Sequence, residues 1–310
     1  MKLSIVATLY QSAAYVDEFY ARAVKVAREL VGDDYELIFV NDDSPDASLE
    51  LAIELHTKDP RVIVVDLSRN FGHHKAIMTG LAQALGERVF LIDSDLEEEP
   101  EWLSSFADQM TEEKCDVVFG VQNIRKGGWF ERFSGWLFYL FYSALTGFDF
   151  PKNLVTARLM TRRYVKALLL HNEREVSLGG LYYITGFNQK SQVIKKHNKS
   201  DSTYTLRRKI SLLVNSVVSF TSKPLVAIFF LGILLFTLSA AISFYFIFNA
   251  LFLGNPPDGW TSLLVSVWAL GGIIISCIGV LGIYISKIYI ETKRRPYTII
   301  RQVYGDPLRD

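Results

Sequence analysis

Two carboxylates set one residue apart, Asp93 and Asp95 in the run Ile92-Asp93-Ser94-Asp95-Leu96-Glu97, are the groups in this chain best suited to chemistry. They follow the apolar segment Val89–Ile92, and alternation along extended backbone sends both side chains to the same side. Such a pair suits Mg²⁺ or Mn²⁺, which prefer oxygen ligands and are commonly held by one or two carboxylates together with substrate phosphates. Two carboxylates beside a nucleotide diphosphate would repel it without a cation, so the pair implies a metal-dependent phosphate ligand. Solvated turn acids produce the same spacing; it is the position at a strand end that favours the metal.

Other polar residues follow other apolar runs. Thr8-Leu9-Tyr10-Gln11-Ser12 contains no glycine, which excludes the glycine fingerprint that brings a pyrophosphate against a helix N-terminus and disfavours a dinucleotide oxidoreductase. Asn41-Asp42-Asp43-Ser44-Pro45-Asp46 offers Asp42 as a carboxylate contact for a ribose or base, and Asp46 as a cap for the helix that follows. His73 and His74 are adjacent, with no third ligand at a regular spacing, and read as loop or helix-start residues rather than zinc ligands.

These residues need a scaffold. Leu3–Ala7, Tyr35–Val40, Val62–Asp66 and Val89–Ile92 are short apolar or β-branched runs, separated by the helical patterns Ala14–Val31, Ser48–Lys58 and Lys75–Leu85. Alternating strands and helices predict an α/β fold with a doubly wound, mostly parallel sheet, in which ligands gather at the carboxyl ends of the strands. Thirty-three basic and 33 acidic residues balance, so no basic field points to nucleic acid. Two cysteines, Cys115 and Cys277, lie in stretches of different character and suggest neither a disulfide framework nor a thiolate metal site. The first apolar run is too short for a secretory signal, which predicts a cytosolic N-terminus.

The composition changes after residue 204. Leu225–Leu253 and Thr261–Ser286 carry no charge, and each exceeds the ~20 residues that cross ~30 Å of hydrocarbon as helix. The linker Gly254–Trp260 (GNPPDGW) is short and turn-rich, which predicts a transmembrane hairpin. Arg207, Arg208, Lys209 and Lys223 precede it, Lys287, Lys293, Arg294 and Arg295 follow it, and the linker has no basic residue; the expectation is a multi-pass protein of the inner (cytoplasmic) membrane with both termini cytosolic. Residues 205–222 read as an amphipathic juxtamembrane helix. Trp129–Phe148 reads as an interfacial helix, although a core helix would show the same periodicity. The expected organisation is therefore a cytosolic domain at 1–204, the segment 205–222, spans at 225–253 and 261–286, and a cytosolic tail at 287–310.

Several stretches in the first roughly 200 positions carry a resemblance: Ser4-Ile5-Val6 with Tyr10, Phe39-Val40-Asn41-Asp42-Asp43-Ser44, Leu67-Ser68-Arg69-Asn70-Phe71-Gly72-His73, Ile92-Asp93-Ser94-Asp95-Leu96 with Pro100, Asp116-Val117-Val118-Phe119-Gly120, and Arg158-Leu159-Met160. In order and spacing they resemble the inverting family-two glycosyltransferases of GT-A fold, and within these the polyprenyl-phosphate group that includes dolichol-phosphate mannose synthase and the bactoprenol glucosyltransferases. The resemblance implies a nucleotide diphosphate sugar donor, with a uridine donor chosen by analogy, a polyprenyl phosphate acceptor, and Mg²⁺ or Mn²⁺. It implies that Thr8, Tyr10, Asp42, Arg69, Asn70, Asp93 and Ser94 line the donor site, with Arg69 and Asn70 on a loop closing over the donor or simply shaping that turn. It implies that Asp95 and Glu97 bind the metal, that Arg125 faces the donor phosphates, and that Arg132, Ser134 and Arg158 hold the acceptor phosphate. Assembly into a homo-oligomer is left open.

The pattern is not followed everywhere. Thr8 stands where a proline is usual, Ser12 where a glutamate often contacts the nucleoside, Glu97 for a glutamine, Gln122 for an arginine and Thr156 for an aspartate, and Lys195–Lys199 replaces an arginine pattern. Loss of a carboxylate at Thr156 favours an acceptor that is already ionised, because a lipid phosphate needs positioning whereas a sugar hydroxyl needs a general base. Asp149 and Glu98 would be the candidate bases for a hydroxyl on a lipid-linked or surface saccharide. An inactive nucleotide-sugar-binding scaffold at the membrane is the reading from a different class.

Overall fold

A computed structural model describes residues 1–122, 154–171, 173–174, 178–195, 221, 223–252 and 259–305. The elements run β1 (Leu3–Leu9), α1 (Val16–Val31), β2 (Tyr35–Asn41), α2 (Ser48–Lys58), β3 (Val62–Leu67), α3 (His73–Gln83), β4 (Arg88–Asp93) and α4 (Trp102–Glu112). They continue with β5 (Val117–Gln122), β6 (Leu154–Thr161), α5 (Arg162–Leu168), α6 (Leu178–Ile184), β7 (Gln189–Ile194), α7 (Lys223–Phe252), α8 (Trp260–Thr292) and β8 (Ile300–Tyr304). The chain divides into two compact units, one holding the strands with α1 to α6, the other holding α7 and α8.

In the first unit the strands form one sheet in the order β7-β5-β6-β4-β1-β2-β3-β8. β1 pairs in parallel with β2 and β4, β2 with β3, and β5 with β7, whereas β6 is antiparallel to both β4 and β5, and β8 is antiparallel to β3. The mostly parallel sheet predicted from the four alternating units is therefore present. β1, β2 and β3 are buried along their whole length, which is why they read as continuous apolar runs rather than alternating ones. One face packs Leu3, Ile5, Ala7, Leu9, Phe39 and Phe90 against α1, α2 and α4. On the other face α3 lies so close that a Cβ built at Gly80 would stand 2.5 Å from Cγ1 of Val6 and 2.8 Å from Cγ2 of Val40. The absent side chain permits that approach.

Ile300–Tyr304, expected to belong to a cytosolic tail, is the edge strand of this sheet, with Val64 opposite Tyr304 and Val65 opposite Val303. Nothing in its mixed sequence (IRQVY) marks it as part of a distant sheet.

In the second unit α7 and α8 contain 30 and 33 residues, about 45 and 50 Å of helix at 1.5 Å per residue. They run side by side in opposite senses: the Tyr284 hydroxyl donates to the Thr221 carbonyl (2.7 Å), while Ile228 and Leu231 share a groove with Gly272, Ile273, Ser276 and Cys277. Among the described residues one stretch, Leu270–Thr292, is long and apolar enough to cross a membrane by length and composition. Its large apolar side chains, including Ile274, Ile275, Ile278 and Ile285, are exposed rather than packed. The expected interfacial helix at 129–148 and nearly all of 205–222 lie outside the described residues.

Candidate active site

Strand order locates the site. β1 is followed by β2 and β3 on one side and has β4 on the other, so the crevice between the carboxyl ends of β1 and β4 is the topological switch point of the sheet. The register puts Thr8 directly beside Asp93 there. The ring of His73, the first residue of α3, spans the two: its Nδ1 lies 3.2 Å from Thr8 Oγ1 and its Nε2 lies 3.4 Å from Asp93 Oδ1. A hydroxyl donating to Nδ1 leaves the ring proton on Nε2, facing the carboxylate. The adjacency of His73 and His74 did not predict this, because the partner residues are 65 and 20 positions away; the signal in the sequence is only that His73 begins the helix after β3.

Asp93 Oδ1 is buried and makes no hydrogen bond, the approach of His73 Nε2 at 3.4 Å notwithstanding. A buried carboxylate oxygen without a hydrogen bond is costly unless something positive completes it. Asp95 stands two residues on, with one oxygen accepting the Glu97 N–H (2.9 Å), and the turn between them places buried Leu96 in the left-handed region at φ 59°. Among the described residues no three His, Cys, Asp or Glu side chains cluster as a complete metal cage. The donor set fits a hard divalent cation held by one or two carboxylates with phosphate oxygens.

Ser94, buried between these acids, donates to the Thr8 carbonyl (2.7 Å) and lies within hydrogen-bond distance of Ser12 Oγ (3.1 Å), tying the β4 turn to the loop after β1. Ser12, which occupies a position expected to touch a nucleoside, instead receives a loop brace, its N–H donating to Ser48 Oγ at 3.0 Å. The Tyr10 ring, half exposed at the end of β1, is open to a ligand.

Asp42 is buried, and its two oxygens accept the N–H groups of Phe71 (2.7 Å) and Gly72 (2.9 Å). The carboxylate expected to meet the donor thus also holds the turn that leads into α3, where Gly72 adopts φ 97°. In that turn the Arg69 guanidinium stacks 4.1 Å over the Phe71 ring and donates to the Asn70 carbonyl (3.0 Å), while Asn70 is exposed. Asp46 anchors the neighbouring loop, accepting from Ser44 Oγ (2.6 Å), Ser48 N (3.1 Å) and Ala13 N (3.0 Å) as well as from Ser48 Oγ. Burial alone would raise its carboxyl, but these hydrogen bonds outweigh burial and bring it down to about 2. It is not the expected cap: Ala47 holds the N-cap position of α2 without a side-chain cap hydrogen bond, and Asp46, one residue earlier, reaches the helix through the N–H and hydroxyl of Ser48.

The other side of the crevice is built by β6. Leu91 faces Arg158 across the antiparallel β4–β6 ladder, and directly paired residues share a face of the sheet. Arg158 is 3% exposed, lies 3.3 Å from the centroid of the Tyr182 ring, and donates to the carbonyls of Thr156 (3.3 Å) and Val155 (3.5 Å). Burial pushes the Tyr182 phenol up, as do the charges of Asp93 and Glu98, against the lowering effect of Arg158. Glu98, a candidate base from the sequence, is fully buried and accepts the Thr156 N–H at 2.9 Å. The structure thus assembles Thr8, Asp93, Ser94 and Asp95 at the switch point, with Arg158 one strand away. Arg125, Arg132, Ser134 and Asp149 lie outside the described residues.

The model of glycosyl transferase family 2 matches residues 4–169, the segment from the start of β1 to just beyond α5. A protein of Mycobacterium tuberculosis (strain CDC 1551 / Oshkosh), named as a glycosyltransferase, is 50% identical over 99% of this chain and 90% of its own length. A prophage-derived bactoprenol glucosyl transferase of Shigella flexneri is 30% identical over 99% of this chain and all of its own. An uncharacterized glycosyltransferase of Bacillus subtilis (strain 168), YkcC, is 32% identical over 98% of this chain and 95% of its own. With the matched segment spanning β1 to α5 and relatives aligned from end to end, the chain belongs to glycosyl transferase family 2.

Proposed function

We propose that this glycosyltransferase is membrane-anchored and inverting, and moves a sugar from a nucleotide diphosphate sugar, a UDP-hexose, to a polyprenyl phosphate such as undecaprenyl phosphate. The observation that carries it is the pairing of the Asp93 oxygen that lacks a hydrogen bond, at the switch point, with Arg158 one strand away. The first suits a metal-bound diphosphate and the second suits an anionic acceptor. The name of the Shigella flexneri relative supports the lipid acceptor. Asp93, Asp95 and Glu97 would hold Mg²⁺ or Mn²⁺ with the donor phosphates, and such an ion supplies neutralisation of charge on a leaving diphosphate.

The chain's own residues do the rest. Thr8, Tyr10, Asp42, Arg69, Asn70 and Ser94 form the donor side, with Asp42 acting both on the ligand and on the Phe71–Gly72 turn. Arg158, fixed by the Tyr182 ring, aligns the acceptor phosphate, with Arg125, Arg132 and Ser134 proposed as further phosphate contacts. A phosphate oxygen forms the new bond to the anomeric carbon as the bond to UDP breaks on the opposite face, so configuration inverts. No base is required, since the acceptor is already ionised near neutral pH. The helices α7 and α8 serve as a two-span anchor in the inner membrane, with both termini cytosolic.

Purified protein in detergent, given radiolabelled UDP- or GDP-sugars and undecaprenyl phosphate, tests this. Label should enter the lipid phase with Mn²⁺ or Mg²⁺, and not with EDTA or in Asp95→Ala. Donor hydrolysis without lipid product would instead favour a saccharide hydroxyl as acceptor.

A further inference from the structure

The edge strand β8 brings a cation to the donor side of the site. Arg301 Nη1 lies 3.1 Å from Asp66 Oδ2, and Nη2 lies 3.2 Å from Asp43 Oδ1 and 2.8 Å from the Ser68 carbonyl. These acceptors sit at the ends of β2 and β3 and in the loops that follow them. Asp66 is buried, and its other oxygen accepts from Asn41 Nδ2 at 2.8 Å. Asp43 is held at φ 53°, a left-handed conformation that the loop must maintain against steric cost. The Ser68 N–H also donates to the Ile299 carbonyl (2.9 Å), so the tail grips Ser68 from both of its polar backbone groups.

Without Arg301, Asp43 in the loop after β2 and Asp66 near the end of β3 would lose the cation they share, and Asp42 would be left as the side chain joining the loop after β2 to the Phe71–Gly72 turn. A planar guanidinium with several donors can bridge three acceptors at once, which a lysine ammonium on a flexible stem does poorly. Half of the Arg301 side chain is exposed, so its removal opens no core cavity.

We propose that Arg301 is a positioning residue for the nucleoside half of the donor, bracing the loops Asn41–Asp46 and Ser68–Gly72 so that Asp42 and Tyr10 meet the base and ribose in place. This rests on the nucleotide-sugar reading above. A segment beyond the last long apolar helix thereby completes a donor site whose other residues all precede the first.

The test is titration calorimetry of UDP and GDP on the full-length protein in detergent, with Arg301→Ala, Arg301→Lys, Asp43→Asn and the Arg301→Ala/Asp43→Asn double variant, alongside steady-state transfer kinetics. Arg301→Ala should weaken nucleotide binding about tenfold, Arg301→Lys by less, and the double variant by no more than Arg301→Ala alone, because both remove one bridge. Donor KM should rise with kcat at saturating donor and the acceptor KM held. Variants that bind UDP or GDP as tightly as the wild type overturn the proposal, as does a fall in kcat with donor KM unchanged. If Arg301→Ala does not fold, Arg301→Lys and Asp43→Asn decide by the same criteria. Should the wild type bind neither nucleotide, the nucleotide-sugar reading itself falls, and this inference with it.

Discussion

Replacing Asp42 by asparagine tests whether one carboxylate organises the donor side. The ionised side chain accepts two backbone N–H bonds at once, from Phe71 at 2.7 Å and Gly72 at 2.9 Å, while nearly fully buried. An amide has one oxygen and one NH₂, so the substituted side chain can satisfy one of these donors while its NH₂ opposes the other. Hydrogen bonds to charged groups contribute about 1.5–3 kcal/mol, and a buried donor left unsatisfied costs about 1–3 kcal/mol. Some of this is regained when Asp66 and Asp43 lose a neighbouring charge, so a net loss of about 2 kcal/mol is expected. For a unit of this size that lowers Tm by about 4–8 °C. The loss should be local: hydrogen exchange at the Phe71 and Gly72 amides should accelerate far more than at β1 or β4, and donor KM should rise as the turn loosens. Wild-type Tm with unchanged exchange at both amides would refute the assignment of Asp42 as the clamp. A raised KM with the amides still protected would mean that Asp42 acts on the ligand alone.

Three further outcomes follow from the geometry. Gly80→Ala should destabilise the first unit by about 1–3 kcal/mol, seen as a lower Tm, because the added Cβ meets Val6 and Val40 at 2.5 and 2.8 Å in a filled core; an unchanged Tm would mean that α3 shifts freely. Tyr182→Leu should raise acceptor KM several-fold, whereas Tyr182→Phe should not, since the Arg158 guanidinium rests on the ring face and not on the hydroxyl; equal effects of the two would discard ring support as the reason. Asp46 has a folded pKa of about 2 against an ordinary value of 3.8, so it binds protons more weakly when folded. Its contribution, on the order of 2 kcal/mol, is present above pH ~4 and lost as pH falls towards ~2. Acid unfolding of Asp46→Asn should lack that share of the pH dependence, and an identical acid profile would count against the Asp46 hydrogen-bond hub.

Local chemistry in the chain was enough to place much of this protein. Parallel strands buried on both faces must be apolar throughout, so β1 to β4 were legible as runs, and the polar residues ending them had to lie on the ligand-binding edge. Asp93 and Asp95 stood out for that reason, as did the long uncharged stretches that form α7 and α8. What escaped the sequence depends on partners far along the chain. Asp42 was legible as a ligand contact but not as the clamp on Phe71 and Gly72, 29 and 30 residues on. His73 became part of the site only because α3 starts where β1 and β4 lie side by side. Arg158 reached it because β6 inserts antiparallel between β4 and β5, and Arg301 because β8 returns to the edge of β3. Periodicity records whether a segment is strand or helix and which face is apolar; which strand it pairs with is settled by register and packing across the whole sheet.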